Sequence, residues 1–382
     1  MSTSVSADLI VIGGGIHGCS AALHAAMRGM SVVVLEKDTV GRHASGANAG
    51  GVRRLRRLLP EVPISVRSAE IWLKISDFLD DDCGFRIAPQ IEVAENEQDM
   101  EKLQKRHAEI TAQGFQHEVL LDRDAMREVI PAVADYCLGA LATMDDGYAQ
   151  PYQTTFAFER KARRAGVKIL EHTAVTGVHR DGKRWQVDTA ETRFTGSAVL
   201  NAAGAWGGRI AAWLREPVPL KPFAPMMIVT DRLPHFCDAV VILANRPLSF
   251  KQMPNGTVVI GGGRPGYPDL DTNGSVVRVR QLCLSAATAI DAFPHMRSAT
   301  VIRTWAGLDG IFADGLPVIG RSSTEENIYH AFGFCGHGFQ MGPAVGELMG
   351  ELIAAGTCKY SLEPFAVTRF KNGAAGSAPG HG

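Results

Sequence analysis

The sequence has little net charge and no closely spaced cysteines. Its 382 residues include 39 Lys and Arg against 40 Asp and Glu, which gives a formal charge of -1 at pH 7. Because positive and negative charges are nearly equal in number, the protein has no overall field that would attract nucleic acid or an anionic membrane. We expect small ligands instead. The seven cysteines are odd in number and form no CxxC pair. The sequence therefore predicts neither a disulfide framework nor a metal site.

Long hydrophobic runs are also missing. The apolar stretch 9–12 has no basic segment before it and ends in glycines, so it is typical of neither a signal peptide nor a membrane-spanning helix. We therefore expect a cytoplasmic protein without membrane insertion. The hydrophobic share of 46% and the charged share of 21% are typical of a folded protein, and the length favours two domains.

What the sequence does have is a glycine pattern near its start. Gly13, Gly15 and Gly18 follow the predicted strand 8–12 and open a helix, and a second predicted strand ends in Glu36. In a dinucleotide-binding βαβ unit, these glycines permit a tight turn, a close approach to a pyrophosphate, and packing of the helix on the strand. Glu36 would bind ribose hydroxyls and repel a 2'-phosphate, which disfavours NADP. The alternative is a glycine-rich turn that binds nothing, and the surrounding strand, helix and acidic residue disfavour it.

Three further glycine-rich segments favour FAD over NAD. Segments 41–57, 201–206 and 333–340 each adjoin a predicted strand, whereas an NAD enzyme usually needs one continuous unit. The bare backbone of residues 46–51 would present N–H groups to a flavin ring. The last predicted helix would direct its N-terminus at the pyrimidine end of the ring, where negative charge appears on reduction.

The order of the predicted elements indicates an α/β fold with two interleaved domains. We expect a discontinuous, Rossmann-like FAD-binding domain from residues 1–75, 145–214 and 301–371, and an α+β substrate domain from residues 76–144 and 215–300.

Outside the first βαβ unit, the sequence predicts helices at about 154–165, 276–291 and 343–355. The tail 372–382 is rich in Gly and Ala, and we expect it to be disordered.

These motifs together resemble the D-amino-acid oxidase (DAO) superfamily of FAD-dependent amine and imino-acid oxidoreductases, which includes sarcosine oxidase and glycine oxidase. The likeness covers nearly the whole chain, in the order IVIGGGIHGCSAA, VVVLEK, SGANAGGVR, NAAGAW, GLDGIFADGLPVIG and GFCGHGFQMGPAVGELMGELI. Within the superfamily, SGANAGGVR, GGGRPG and GHGFQMGPAVGE are most similar to the flavin-bearing beta subunits of opine and D-hydroxyproline dehydrogenases.

The resemblance implies a substrate domain whose antiparallel sheet covers the flavin ring, and it implies which residues contact FAD. They are Gly13, Gly15, Ile16, His17, Gly18, Glu36, Lys37, Ser45, Asn48, Ala49, Gly50, Gly51, Val175, Ala203, Gly204, Trp206, Gly307, Gly336, His337, Gly338, Phe339 and Gln340. Residues 305–309 contain no cysteine where monomeric sarcosine oxidases attach their flavin, and Pro151 falls near the covalent FMN histidine of sarcosine oxidase beta subunits. We therefore expect noncovalent FAD, with FMN possible only at an interface with a partner subunit.

The resemblance also assigns catalytic roles to Arg53, His337 and Gln340. Arg53 falls where sarcosine oxidases bind the substrate carboxylate, although the arginines of residues 53–57 could instead form a solvated basic turn. Gln340 replaces a lysine that makes the second carboxylate contact, and a neutral amide favours a bulkier or cyclic substrate. His337 is either close to the ring or substrate, or fixed by backbone hydrogen bonds. Asp309 replaces an arginine of glycine oxidase.

This pattern predicts dehydrogenation of an amino or imino acid, with hydride transfer from the α carbon to flavin N5. The substrate would be a secondary amine such as an opine, D-hydroxyproline, D-proline or an N-methyl amino acid. Val259 falls at the position of an oxygen-activating lysine, so we expect electrons to pass to a companion subunit with FMN or an iron–sulfur centre, or to another carrier. Lys251 or Arg264 could replace that charge only if their hairpin folds inward.

Two alternatives stay open. One is a stand-alone amine or D-amino-acid oxidase that produces hydrogen peroxide. The other is a noncatalytic flavin-binding scaffold subunit.

Overall fold

The computed structural model describes residues 4–371, so the tail 372–382 lies outside the described residues. The described part of the chain has ten α-helices: α1 Ile16–Ala26, α2 Ala44–Ala47, α3 Val62–Trp72, α4 Ile75–Leu79, α5 Glu97–Ala112, α6 Arg123–Val129, α7 Pro151–Arg164, α8 Gly207–Trp213, α9 Val279–Ala292 and α10 Gly338–Ala355.

The same residues form 23 strands: β1 Ser4–Ile12, β2 Val32–Leu35, β3 Gly51–Val52, β4 Arg86–Ile87, β5 Gln90–Ala94, β6 Val119–Leu121, β7 Gly139–Thr143, β8 Gly147–Tyr148, β9 Lys168–Leu170, β10 Val175–Asp181, β11 Arg184–Thr189, β12 Arg193–Asn201, β13 Lys221–Phe223, β14 Met226–Arg232, β15 Val240–Leu243, β16 Ser249–Gln252, β17 Thr257–Gly261, β18 Tyr267–Asp269, β19 Gly274–Val276, β20 Val301–Ala306, β21 Asp309–Ile311, β22 Val318–Arg321 and β23 Ile328–Phe332.

The first large sheet has the order β10-β11-β12-β1-β2-β9, with β23 also paired to β12 and β22 paired to β23. Its central pairs, β12–β1, β1–β2, β2–β9 and β12–β23, are parallel. Both faces of β1 are covered: Leu9 and Val11 belong to one apolar core, and Ile10 and Ile12 belong to another. This double burial explains why the strand is a continuous apolar run in the sequence.

Helices α1 and α10 cover the first sheet and pack closely against each other. Gly342, Gly346 and Gly350 repeat every four residues along α10 and therefore share one face. A Cβ on Gly342 would lie 2.9 Å from Ile16, and one on Gly346 would overlap Ser20. This stripe of glycines lets the two helix backbones approach each other.

Helix α10 begins at Gly338, five residues before the predicted start at Pro343. Proline favours the first turn of a helix, which is why the sequence pattern suggested a later start. In the structure, α3 provides hydrogen bonds to the early part of α10. Ser68 Oγ and Trp72 Nε1 donate to the carbonyl oxygen of Gln340, at 2.5 and 2.8 Å.

The second large sheet has the order β20-β14-β17-β16-β15-β5-β7-β6. All its neighbouring pairs are antiparallel except β5 and β15, which are parallel. On one face, Phe250, Val258 and Ile260 pack in a core with residues of α9. The strand β20 belongs to this sheet through its pairing with β14, although it lies after the proposed domain boundary at residue 300.

Two further features complete the described structure. Small sheets join β13 to β21, β18 to β19, and β3 and β4 to β8. Among residues 4–371, no helix is both long and apolar enough to cross a membrane. The architecture is the mixed α/β arrangement that the sequence predicts, with a largely parallel sheet and a largely antiparallel one.

Candidate functional site

A cavity of about 790 Å³ lies between the two large sheets. On one side, Gly13, Glu36 and Ala203 line it at the carboxyl ends of β1, β2 and β12. On the other side, Met227 and Ser249 project from the face of the antiparallel sheet opposite its core. Ligands of parallel α/β sheets bind at these carboxyl ends, so the cavity is where the motifs predict the cofactor.

The turn between β1 and α1 requires its glycines. Gly13 has a φ of 110°, and a Cβ there would lie 2.5 Å from the carbonyl oxygen of Ala202. Gly18 packs under the turn, where a Cβ would overlap the carbonyl oxygen of Gly13. Helix α1 begins in the cavity wall, and its N-cap residue Gly15 makes no side-chain cap. The Ile16 N–H donates to the Ser45 hydroxyl at 3.0 Å, and the positive end of the helix faces the cavity where a pyrophosphate would bind.

Glu36 lines the cavity directly after the end of β2. Its carboxylate accepts hydrogen bonds from the backbone N–H groups of Gly14 and Asp38, at 2.6 and 2.9 Å. Burial raises the pKa of Glu36, although both hydrogen bonds oppose the shift. Next to it, the Lys37 ammonium lies 3.6 Å from the ring centroid of Trp206. A carboxylate held in this orientation fits ribose hydroxyls.

The loop that contains α2 is held by its own side chains and by the second sheet. Asn48 Nδ2 donates to the carbonyl oxygens of Ala44 and Ser45, and Asn48 Oδ1 accepts from the N–H of Gly50. Trp305 Nε1 on β20 donates to the carbonyl oxygen of Ala47 at 2.7 Å. This rigid loop lines the cavity with backbone and small side chains, a surface that fits the flat ring of a flavin.

The structure brings most of the predicted cofactor residues to this one cavity. Those that line it are Gly13, Gly15, Ile16, His17, Glu36, Lys37, Ser45, Asn48, Ala49, Gly51, Val175, Ala203, Gly204, Trp206, Gly307, Gly336, His337, Gly338 and Phe339. Gly18 and Gly50 lie just behind the lining, in the turn after β1 and in the α2 loop.

Gln340 is the exception among the predicted catalytic residues, because the structure does not bring it to the cavity. Its Oε1 accepts from the Ser65 hydroxyl at 3.0 Å, and its Nε2 donates to the Ser65 carbonyl oxygen at 2.9 Å. The side chain is 1% exposed. Gln340 thus joins α10 to α3, and this position corrects the expectation that it contacts the substrate or FAD.

His337 lines the cavity and is fixed by a carboxylate, not by the backbone hydrogen bonds that were the alternative. Its Nδ1 lies 3.0 Å from Oε2 of Glu61, which is fully buried. Burial lowers the pKa of His337, and Glu61 only partly opposes the shift. Burial raises the pKa of Glu61, but His337 and Arg57 lower it by more. We therefore assign an ionised Glu61 carboxylate that accepts from Nδ1 of the His337 imidazole.

Two of the four arginines in residues 53–57 have carboxylate partners. Arg54 Nε donates to Asp146 Oδ1 at 2.7 Å, and the Arg56 guanidinium lies 2.9 Å from Oε1 of Glu92. Both partner carboxylates are buried. These arginines are therefore structural, and residues 53–57 do not form a solvated basic turn.

The other two arginines of this segment, Arg53 and Arg57, line the cavity. Neither has an ion pair within the described residues. Burial, together with Arg57 and Arg56, lowers the pKa of Arg53 to about 10, so it stays charged at neutral pH. Arg57 is 2% exposed, and its Nε and Nη1 atoms have no hydrogen-bond partner. The cavity thus has two guanidinium groups available to a ligand.

Sequence reasoning missed or undervalued several residues of this region. Arg57 was seen only as part of a basic run, because nothing in that run shows which of its arginines have carboxylate partners. Asp309 lines the cavity, where its carboxylate accepts from the N–H groups of Gly310 and Gly336. Cys335 also lines it. The sequence marked Asp309 only as the replacement of a glycine oxidase arginine and Cys335 only as part of segment 333–340, because the contact between these two loops is distant in sequence.

Lys251 is buried, so its hairpin does fold inward. It lies next to Phe250, whose side chain is in the core, so Lys251 faces the opposite, cavity side of the sheet. Its Nζ lies 4.6 Å from the ring centroid of Tyr148, and a Cβ on Gly50 would lie 3.4 Å from it. Burial lowers the pKa of Lys251 to about 8.

A Rossmann-like sheet facing an antiparallel sheet across a glycine-lined cavity defines the class of FAD-dependent oxidoreductases. The match to the family described as FAD dependent oxidoreductase (DAO) covers residues 8–352. The chain therefore belongs to the DAO family, and the predictions of the superfamily, of the fold class and of FAD as cofactor are confirmed.

Individual relatives align over nearly the whole chain. Sarcosine oxidase subunit beta of Rhizobium meliloti (strain 1021) is 26% identical over 378 residues, which cover 96% of this chain and 89% of that protein. Glycine oxidase of Geobacillus kaustophilus (strain HTA426) is 24% identical over 369 residues, covering 95% and 97%. The crystal structure of L-proline dehydrogenase from P. horikoshii superposes with a TM-score of 0.90 at 28% identity, covering 97% and 99%.

Proposed function

We propose that this protein is an FAD-dependent dehydrogenase of an amino or imino acid, in particular of a secondary amine. An opine, D-hydroxyproline, D-proline and an N-methyl amino acid are the candidate substrates. The observation that carries the proposal is the unpaired guanidinium of Arg53, which lines the same cavity as the α2 loop and the start of α10. FAD bound there would supply the hydride acceptor for oxidation at the substrate α carbon, and the residues of the cavity would hold the substrate in place for that reaction.

Arg53 would hold the substrate by its carboxylate. A guanidinium presents two parallel N–H donors to a carboxylate, which fixes the orientation of the α carbon as well as its position. The similarity to sarcosine oxidase subunit beta and to L-proline dehydrogenase supports an amino or imino acid as the bound acid.

The remaining contributions of the chain are electrostatic and steric. The N-terminus of α10, at Gly338 in the cavity wall, would stabilise negative charge near the ring. Met227, Val240, Ile242 and Leu248 give the opposite wall an apolar surface, which would exclude water from the reacting carbon. No nucleophile or metal is needed for this chemistry, because the cofactor performs it.

We further propose that FAD is bound noncovalently. Cys335 is the cysteine that lines the cavity within residues 4–371. Burial raises the pKa of its thiol to about 12, and its Sγ donates to the carbonyl oxygen of Gly333. A protonated, hydrogen-bonded thiol is a poor nucleophile, so it favours a flavin without a covalent link.

A companion subunit is the proposed electron acceptor. Two of the relatives, sarcosine oxidase subunit beta and hydrogen cyanide synthase subunit HcnC, are named as subunits, which supports a partner chain. We propose that this partner carries FMN or an iron–sulfur centre. The cysteines of this chain are too scattered to hold such a centre.

A second candidate function is an oxidase that produces hydrogen peroxide. Lys251 favours it, because a buried ammonium beside the α2 loop would stabilise the superoxide-like anion formed when oxygen accepts an electron. Dehydrogenase stays the first proposal because Val259, at the position of the oxygen-activating lysine, is uncharged.

Anaerobic flavin bleaching tests the proposal. Purified holoenzyme is mixed with a panel of opines, cyclic imino acids, N-methyl amino acids and D-amino acids, and the flavin absorption is followed. We expect rapid bleaching by at least one secondary amine. Lack of bleaching by the whole panel would instead favour the noncatalytic scaffold subunit.

A further inference from the structure

We propose that the substrate carries two carboxylates and that Arg57 binds the second one. The inference rests on the proposed function, because it takes an amino or imino acid as the substrate and Arg53 as the site of the first carboxylate. Once that first carboxylate is in place, Arg57 still lacks a hydrogen-bond acceptor.

The pairing within residues 53–57 separates two kinds of arginine. Arg54 and Arg56 each have a buried carboxylate partner. Arg53 and Arg57 line the cavity, and within residues 4–371 neither has one. Arg53 and Arg57 therefore line the cavity, whereas the charges of Arg54 and Arg56 are neutralised by buried carboxylates.

Of the two unpaired arginines, Arg57 is the one whose buried N–H donors lack an acceptor. Its side chain is 2% exposed, and Nε and Nη1 are buried without an acceptor. Burying a charged donor without an acceptor is strongly unfavourable, and burial is also what lowers the pKa of Arg57. Such a group is usually explained by a ligand that provides the missing acceptors.

The carboxylates that face this region do not satisfy Arg57. Glu61 and Asp146 are both near enough to affect the pKa of Arg57. Both Glu61 oxygens, however, contact His337 Nδ1, and one also accepts from the Leu58 N–H. Asp146 accepts from the Arg54 side chain and from the N–H groups of Arg54 and Leu55. Asp309 lines the same cavity, but it accepts from the backbone of Gly310 and Gly336.

A monocarboxylate held by Arg53 would leave Arg57 unmatched. A substrate with a second carboxylate would provide acceptors and a compensating charge for both guanidinium groups. The phosphates of FAD are not the expected partner, because the positive end of α1 that fits them lies at Gly13 and Gly15, whereas Arg57 lies near Glu61 and His337.

The test uses the FAD-loaded protein and two unreactive ligands. 2,2'-Thiodiacetate has two carboxylates, and (isobutylthio)acetate has methyl groups in place of the two oxygens of the second carboxylate. Sulfur replaces the reacting nitrogen in both, so binding is measured without turnover, by calorimetry and by the change in flavin absorption. Homologues of the diacid with one or two more methylenes in the second arm cover the unknown spacing.

We expect the best diacid to bind at least about tenfold more tightly than the monoacid. In Arg57→Gln, diacid affinity should fall by about ten- to a hundredfold, while monoacid affinity should change by less than about threefold. Arg57→Lys should keep part of the preference, because it retains the charge without the planar fork. Arg280→Gln is the matched control: Arg280 is exposed and has no ion pair within the described residues, so its loss should leave the preference unchanged.

Unfolding temperature separates a binding role from a structural one. Arg57 also lowers the pKa of the buried Glu61 carboxylate, so Arg57→Gln should lower the unfolding temperature as well as the diacid preference. A lower unfolding temperature with an unchanged diacid preference would overturn the inference, as would a variant that only weakens FAD binding. Equal wild-type affinity for both ligands would overturn it while leaving the proposed function intact. Failure of every ligand to bind would count against both.

Discussion

Lys251 and Val259 lie directly opposite each other on β16 and β17, on the sheet face that bounds the cavity. Opposite residues of an antiparallel pair share a face, so the ammonium and the apolar side chain are neighbours. The position expected to carry a charge in an oxidase is therefore uncharged here, while a buried cation lies one strand away.

This arrangement predicts slow but measurable oxygen use. Turnover with an artificial dye should be fast, and turnover with air alone should be slow. Lys251→Met should lower the remaining oxygen rate constant by about tenfold, because it removes the field that stabilises the superoxide-like anion. Since the pKa of Lys251 is about 8, the wild-type oxygen rate should fall as the pH rises through that value. Fast, stoichiometric formation of hydrogen peroxide would contradict the dehydrogenase proposal.

Replacing Arg53 tests the first carboxylate contact. Arg53→Lys keeps the charge but loses the planar fork, so the substrate dissociation constant should rise by about ten- to a hundredfold, or about 1.4 to 2.8 kcal/mol. FAD content should not change. Anaerobic titration of the flavin spectrum measures both quantities, and an unchanged affinity would remove Arg53 from substrate binding.

The noncovalent state of FAD has a direct test. Acid precipitation should release all the yellow colour into the supernatant. Cys335→Ser should do the same and should retain the same FAD content, because the thiol is a hydrogen-bond donor in the wall and not an attachment point. A wild-type pellet that stays yellow would refute the prediction. If the pellet of Cys335→Ser were then colourless, Cys335 would be identified as the attachment point of the flavin.

Gln340→Met tests the structural role of the amide. The change leaves the Ser65 hydroxyl and carbonyl without their partners, so the free energy of unfolding should fall by about 1–3 kcal/mol. Substrate affinity should stay the same, because Gln340 does not line the cavity. Urea denaturation and ligand titration are run on the same preparation, and weaker ligand binding without a loss of stability would return Gln340 to the site.

Acid should destabilise the protein through its buried histidines. Burial lowers the pKa of His17 to about 3 and that of His24 to about 4, against a model-peptide value of 6.5. The stability that these neutral side chains provide is fully present above pH 6.5 and is lost as the pH falls below it, because the unfolded chain binds the protons first. Each should add about 1.4 kcal/mol per pH unit to the slope.

His24→Leu provides the measurement for this prediction. His24 lies on α1 with its Nε2 unpartnered, and it stacks on Phe78. Between about pH 6.5 and 4, the unfolding free energy of the variant should depend less steeply on pH than that of the wild type. The slope should decrease by the contribution of one histidine, about 1.4 kcal/mol per pH unit. Equal slopes for the variant and the wild type would show that His24 is charged, or exposed, in the folded protein.

The βαβ unit at the start was predictable because its determinants are local. Gly13, Gly18 and Glu36 act within one strand–helix–strand unit, and their spacing is visible in the sequence. The environment of Gln340 was not predictable in this way. Its partner Ser65 is 275 residues away, and only the packing of α3 on α10 shows that the amide faces a helix and not the cavity.

The arginines of residues 53–57 also could not be assigned from the sequence alone. A run of four arginines does not reveal which have partners, because Asp146 and Glu92 reach Arg54 and Arg56 from other parts of the fold. The prediction for Arg53 came from a resemblance, whereas the unpaired state of Arg57 could be seen only once those carboxylates were in place.

The glycine stripe of α10 also has a consequence for biosynthesis. Ser20 on α1 donates to the carbonyl oxygen of Pro343, a contact that spans 323 residues, and Gly346 leaves room for the same serine. During translation, the dinucleotide-binding helix emerges from the ribosome early and its packing partner late. The face of α1 that meets α10 is therefore uncovered for most of the synthesis of the nascent chain, and the cofactor site is completed only when α10 docks.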